Sequence, residues 1–181
     1  MASYVGVDWA SKGWLTVSIE DSSWTAEMHP SIHSVWYTHR DADSILVDIP
    51  IGLPENERRA CDRAAKEFIG KARARSVFWT PCRKAVYSET YERAKDANQM
   101  NRGDSLSSQA WGLIPRIREV DALLLDESDA KETIMESHPE VCFSAFANAE
   151  LGSKHELDGI TERKNCLDEV KTGAGNQYES F

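Results

Sequence analysis

The sequence has no apolar run approaching the roughly 18 residues that a membrane-spanning helix needs. Its N-terminus, MASYVGVDWAS, has no basic stretch followed by an apolar one. These two absences give the expectation of a soluble cytoplasmic protein without a membrane partner. Cysteine is sparse: Cys61, Cys82, Cys142 and Cys166 stand far apart, with no CxxC pair to grip zinc or exchange disulfides. Free thiols in a reducing cytosol are expected, and no disulfide-linked partner. Positive charge is in deficit, 21 Lys and Arg against 30 Asp and Glu for a net charge of −9. That balance excludes a protein whose task is to coat nucleic acid, because neutralising phosphates needs clustered Lys and Arg. Internal repeats and low-complexity tracts are absent too.

The deficit is uneven. Residues 57–118 hold 14 Lys and Arg against 7 Asp and Glu, a balance of +7, while the remainder holds 7 against 23, a balance of −16. With 181 residues and 41% apolar composition, the chain suits a single domain, 1–181, with its own core. The stretch Tyr4 to Trp9 is a short apolar run that ends in a carboxylate, Asp8, the pattern of a buried strand that delivers a side chain to a cleft. Trp14 to Glu20 and Trp24 to Met28 are rich in β-branched and aromatic residues and flank the turn Asp21-Ser22-Ser23, so they continue the first strand as a meander. A helix is expected over about 30–40, with Pro30 in its first turn and Ile32, Val35 and Trp36 on one face. Ser44 to Pro50 then repeats the apolar run ending in an acid, here Asp48, and makes a fourth strand parallel to the first.

A basic helical insertion follows over about 54–126. Cys61, Ala64, Ala65, Phe68 and Ile69 keep helical spacing, with Arg59, Arg63, Lys66 and Arg73 on the opposite side. A second pattern runs from Leu106 to Leu124, where Pro115 must kink or restart the helix. Between them, 76–103 shows no dominant period and reads as loop with short helical pieces. Lys131 to Ser137 reads as strand five, and Pro139 opens a short helix to about Ala149. The resulting fold class is α/β.

If strands one and four are parallel neighbours, Asp8 and Asp48 emerge together at their carboxyl ends, where open α/β sheets build sites. Two adjacent carboxylates repel, and a shared divalent cation removes that cost; Mg²⁺ or Mn²⁺ suits the all-oxygen donor set. Glu136 closes the third apolar run and is the next candidate ligand, while Glu140 falls in the first turn of the following helix. His138 is a candidate proton shuttle. His29 and His33 have the four-residue spacing of zinc ligands but neither a third ligand nor an intervening Glu, so the pair carries no metal reading.

Five stretches in order, GVDWASKGW (6–14), VDIPIGLP (47–54), RACDRAAKEFIGKARARSVFWTP (59–81), SSQAWGLIPRIREVD (107–121) and MESHPEVCF (135–143), resemble a domain-of-unknown-function family of predicted RNase H-fold nucleases. The resemblance implies an RNase H-like mixed five-strand sheet of order 3-2-1-4-5 with a helical insertion after strand 4, acids at the ends of strands one and four, and two-metal phosphodiester cleavage. On that basis Asp8 bridges two metal ions, Asp48 and Glu136 hold one each, and Glu140 completes the catalytic set. Lys12, Arg83 and Lys154 are the candidates for phosphate contact, the stripe Arg59, Arg63, Lys66 and Arg73 for the nucleic-acid backbone, and Trp9 and Trp79 for base stacking. One departure is visible. The family closes with an acidic, Ala-rich helix, whereas here Leu167 to Val170 runs into a polar tail reaching Tyr178 with no such helix apparent, so a shortened form is expected.

Two rivals remain. ATP-dependent phosphotransfer occurs on the same fold, but the turn Asp8-Trp9-Ala10-Ser11-Lys12-Gly13 is bulky at Trp9, and Asp48-Ile49-Pro50-Ile51-Gly52 lacks an N–H donor at Pro50. A non-catalytic scaffold would keep the fold and bind nucleic acid or protein through the basic insertion.

Overall fold

The computed structural model describes residues 2–21, 23–149 and 151–177. Ser22 of the expected turn and Tyr178 of the tail lie outside them. The described chain falls into two compact units: one runs to Asp62 and resumes over Phe78–Ser137, and the other holds Arg63–Val77 and the residues from His138 onward.

The first unit is built on a five-stranded sheet in the order β3-β2-β1-β4-β5. Strands β1 (Ser3–Ala10), β2 (Gly13–Glu20) and β3 (Ser23–His29) form an antiparallel meander, and β4 (Ser44–Val47) and β5 (Ile134–Glu136) add in parallel. This is the mixed sheet that the apolar runs and the resemblance led us to expect. Side-chain alternation gives the sheet two unlike faces. Val5, Val7, Trp14, Thr16, Ile45, Val47 and Ile134 are buried on one. Tyr4, Leu46 and Met135 stand exposed on the other, together with Asp8.

Helices α1 (Ile32–His39), α2 (Ala60–Phe68), α3 (Gly70–Arg73), α4 (Arg83–Val86), α5 (Tyr91–Arg102) and α6 (Ser108–Asp126) follow in chain order, α1 before β4 and the rest after it. The buried face packs against Ile32, Val35 and Trp36 of α1 and Ile117, Val120, Leu123 and Leu124 of α6. Ser31, not Pro30, starts α1, its hydroxyl accepting from the Ser34 N–H. Pro115 lies inside α6, which continues through it. Helix α5 occupies sequence read as loop: Thr90 caps its start, Gly103 ends it in the left-handed conformation, and only small or polar residues, Ala94, Ala97 and Asn98, are buried. Lys131 lies not in strand five but in α7 (Ala130–Thr133), which precedes β5.

Glu119 of α6 ties this packing together. Its Oε1 accepts from the fully buried Trp14 indole at 3.1 Å and from the Ile32 N–H at 2.8 Å, an otherwise orphaned donor at the start of α1. Its Oε2 takes Arg116 Nη1 at 2.7 Å, and that guanidinium stacks 3.7 Å over Trp9. Glu119→Ala should therefore lower stability in urea unfolding by about 2–3 kcal/mol, and Glu119→Gln, which keeps an acceptor, by clearly less.

In the second unit, α3 and a short 3₁₀ turn (Ala74–Ser76) accompany α8 (Pro139–Ala147), α9 (Leu157–Val170) and α10 (Ala174–Gln177). The sequence pattern showed no helix in this stretch, where α9 runs for fourteen residues ahead of α10. Gly159 is needed there because a Cβ at that position would meet the Ser153 carbonyl oxygen at 2.1 Å. Among the described residues no helix is long and apolar enough to cross a membrane, and none of the four cysteines is in a disulfide.

Candidate functional site

In the β1–β4 pairing Val7 stands opposite Val47, and the Asp48 N–H donates to the Val7 carbonyl at 3.0 Å, so the ladder runs one step beyond β4. Asp8 and Asp48 are thus neighbours in register on adjacent parallel strands, on the face away from Val7 and Val47. Asp8 is exposed and its Oδ1 accepts the next N–H, that of Trp9, at 2.7 Å; Asp48 is half-buried.

Glu136 does not join them. In the β4–β5 pairing it lies opposite Val47, which puts it on the Val47 face, one position short of the Asp8–Asp48 row. Ser137 occupies that row, its N–H donating to the Val47 carbonyl at 2.9 Å. Both Glu136 oxygens are engaged elsewhere. Arg59 Nη1 reaches Oε2 at 2.6 Å and Nη2 reaches Oε1 at 2.8 Å, while the Ile51 N–H donates to Oε2 at 2.9 Å. The same guanidinium binds the buried Asp62 through Nε at 3.0 Å and through Nη2, and the Ile51 carbonyl through Nη1 at 2.6 Å. Burial works against its charge, but the hydrogen bonds it donates to Glu136 and Asp62 prevail and raise its pKa.

Most of the basic stripe, all but Arg63, is likewise taken up within the protein. Arg59, expected on a nucleic-acid backbone, is this buried pivot, with a side chain only 8% exposed. Arg83 makes a bidentate pair with Asp121, at 2.6 and 3.1 Å, and meets Glu55 at 3.3 Å. In the second unit, Lys66 donates to the carbonyls of Ala74 and Val77, closing the 3₁₀ turn. Arg73 is held by Glu140 and by the carbonyls of Leu151 and Gly152. Lys12, Arg63 and Lys154 are exposed and, among the described residues, make no ion pair. Trp9 and Trp79 each carry an arginine on one ring face, Arg116 at 3.7 Å and Arg58 at 4.2 Å.

Glu140 belongs to the second unit, where it is a hub between helices. Its Oε2 accepts from Arg73 of α3 and from Arg163 Nη2 of α9 at 2.7 Å, and its Oε1 accepts from Arg163 Nε at 3.3 Å. His138, at the start of α8, hydrogen-bonds the Ser76 carbonyl at 3.1 Å.

A grouping that sequence spacing did not indicate lies on β3 and α1. Among the described residues, Glu27, His29 and His39 are the one set of three or more His, Cys, Asp or Glu residues whose candidate ligand atoms all lie within 4.8 Å of one another. The partner of His29 is His39, ten residues on, not His33. Burial, and secondarily the neighbouring His29, push the His39 pKa down.

A family model described as "Protein of unknown function (DUF429)" matches residues 6–180. No curated protein and no solved structure shows a significant match.

Proposed function

The chain belongs to the family described as protein of unknown function (DUF429), and from that premise we propose that it is a metal-dependent phosphodiesterase acting on nucleic acid through Asp8 and Asp48. The observation that carries this reading is the parallel register Val7–Val47, which sets the two acids side by side on adjacent strands. Their donor set is all oxygen, which fits Mg²⁺ or Mn²⁺, and magnesium sites commonly use one or two carboxylates with the remaining positions taken by water and substrate phosphate. A bound ion of this kind supplies Lewis acidity and a more acidic water. Asp8, exposed on the open sheet face, meets the substrate side; Asp48, half-buried, is the more constrained ligand. Lys12, exposed in the β1–β2 turn, is the phosphate contact nearest in sequence to Asp8. Glu136 acts here by anchoring Arg59 and the Ile51 backbone beside β4, not as a third ligand.

The test is cleavage of labelled DNA and RNA in Mn²⁺ by the full chain. Asp8→Asn should reduce the rate at least about 10²-fold, the size expected when several kcal/mol of metal-derived stabilisation is lost. Wild-type protein that leaves every substrate intact and binds no Mn²⁺ would overturn the proposal. A second reading, a non-catalytic scaffold, has one observation in its favour: Arg63 of the basic insertion is exposed and, among the described residues, makes no ion pair. Nucleic-acid binding without cleavage, unchanged in Asp8→Asn, would select that scaffold.

A further inference from the structure

We propose that Glu27, His29 and His39 form a zinc site with three protein ligands and an open fourth position, on the opposite face of the sheet from Asp8. The placement follows from register. Glu27 pairs with Thr16 and His29 with Trp14, and Thr16 pairs with Val7, so Glu27 and His29 take the buried-side direction along β3. Asp8 pairs with Leu15 and Leu15 with Met28, the alternate row. His39 ends α1, which packs on that buried face.

Three features point to a ligand rather than to three side chains that happen to meet. His39 Nε2 is buried and, among the described residues, has no hydrogen-bond partner, an unmet polar atom of the kind that native structures satisfy with an ion or water. His29, with its side chain 8% exposed, has Nδ1 3.2 Å from the Ser34 hydroxyl, the outer-shell contact that fixes a metal-binding imidazole's tautomer and leaves Nε2 as the donor. Nε2 in turn lies 3.9 Å from Glu27 Oε2. Tetrahedral ligands on zinc stand about 3.4 Å apart, given bond lengths near 2.0–2.2 Å. The spread of up to 4.8 Å therefore needs only a modest inward shift, and exposed Glu27 has the freedom to make it. Thr16 Oγ1, 3.3 Å from His29 Nε2, is the group an arriving ion would displace.

The donor set selects the metal. Two imidazoles and a carboxylate suit zinc, whereas the carboxylate pair at Asp8 and Asp48 suits a harder ion. Strand β3 is an edge of the sheet, and an ion held by β3 and the end of α1 would pin that edge while leaving one coordination position for water or an incoming donor.

The test is Zn²⁺ titration of the chelator-stripped full chain by calorimetry, with millimolar Mg²⁺ present to occupy harder sites, and Co²⁺ substitution read by visible absorption. We expect one Zn²⁺ per chain, a tetrahedral Co²⁺ spectrum, and affinity lowered at least about tenfold in both His39→Ala and Glu27→Gln. These two positions are used because neither is buried as His29 is, and circular dichroism checks that both variants fold. Asp8→Asn should bind Zn²⁺ as the wild type does, which separates this outcome from that of the nuclease assay. Absence of stoichiometric zinc, or undiminished binding in folded His39→Ala, would overturn the proposal.

Discussion

Asp62→Ala is expected to lower the unfolding free energy of the sheet-bearing unit by about 3–5 kcal/mol, the range for removing one partner of a buried ion pair. Asp62 is 3% exposed and receives Arg59, the Thr80 N–H at 3.0 Å and the Thr80 hydroxyl at 3.3 Å. Truncation leaves a buried amide without an acceptor and a buried guanidinium with one counter-ion instead of two. Asp62→Asn, which keeps an acceptor for Thr80 but loses the charge, should cost about 1–3 kcal/mol. Replacing the pair with apolar residues, Arg59→Met with Asp62→Leu, should recover only the part of the loss that comes from the unbalanced charge, because the Thr80 N–H still lacks its acceptor. Glu136, whose side chain is 31% exposed, can rehydrate in that double variant. Urea unfolding followed by tryptophan fluorescence measures all three; a cost under about 1 kcal/mol for Asp62→Ala, the level of a surface pair, would mean that Arg59 is not the pivot described.

That network also shows where sequence reading stops. Apolar runs closed by Asp8 and Asp48 carried the sheet, because strand periodicity and a terminal acid are local signals, and the fold followed from them in the order 3-2-1-4-5. Glu136 closes a run in the same manner, yet its partner is 77 positions away, and its face was decided by which residue of β5 sits opposite Val47. A slip of one residue reverses the face, and no pattern within 134–137 fixes that choice. Helix α5 was legible in principle: Thr90 and Gly103 are ordinary start and stop signals, but a helix that buries alanines has little apolar contrast to display. Helix α9 hides for a related reason, since its inward residues include Gly159, Arg163 and Cys166, and a buried arginine reads as surface until its carboxylate partner is known. The charge balance of 57–118 suggested a binding stripe. Arg59, Lys66, Arg73 and Arg83 instead serve acids and carbonyls of their own chain, which composition alone cannot distinguish from a ligand surface.

The second large effect is expected at Glu140 and depends on pH. Arg163 is 1% exposed, and its charge is balanced by Glu140 together with the carbonyls of Gly152 and Gly159 at 3.0 and 2.7 Å. Glu140→Gln leaves that guanidinium without an anion, so about 3–5 kcal/mol of the second unit's stability should be lost at neutral pH. Burial on its own would raise the Glu140 pKa, but hydrogen bonds from Arg163 and Arg73 outweigh it and hold the carboxyl below its ordinary 4.5. A folded-state pKa below the unfolded one means that the unfolded chain binds more protons in that window, so stability rises with pH there. The contribution is fully present above the unfolded value near 4.5 and disappears as pH falls through the lower folded value. Amide exchange over α8 and α9 should consequently accelerate as wild-type protein is taken below that point, and Glu140→Gln should exchange fast at every pH with this acid step removed. An acid step of undiminished size in Glu140→Gln would assign the transition to other carboxylates and deny Glu140 its place between Arg73 and Arg163.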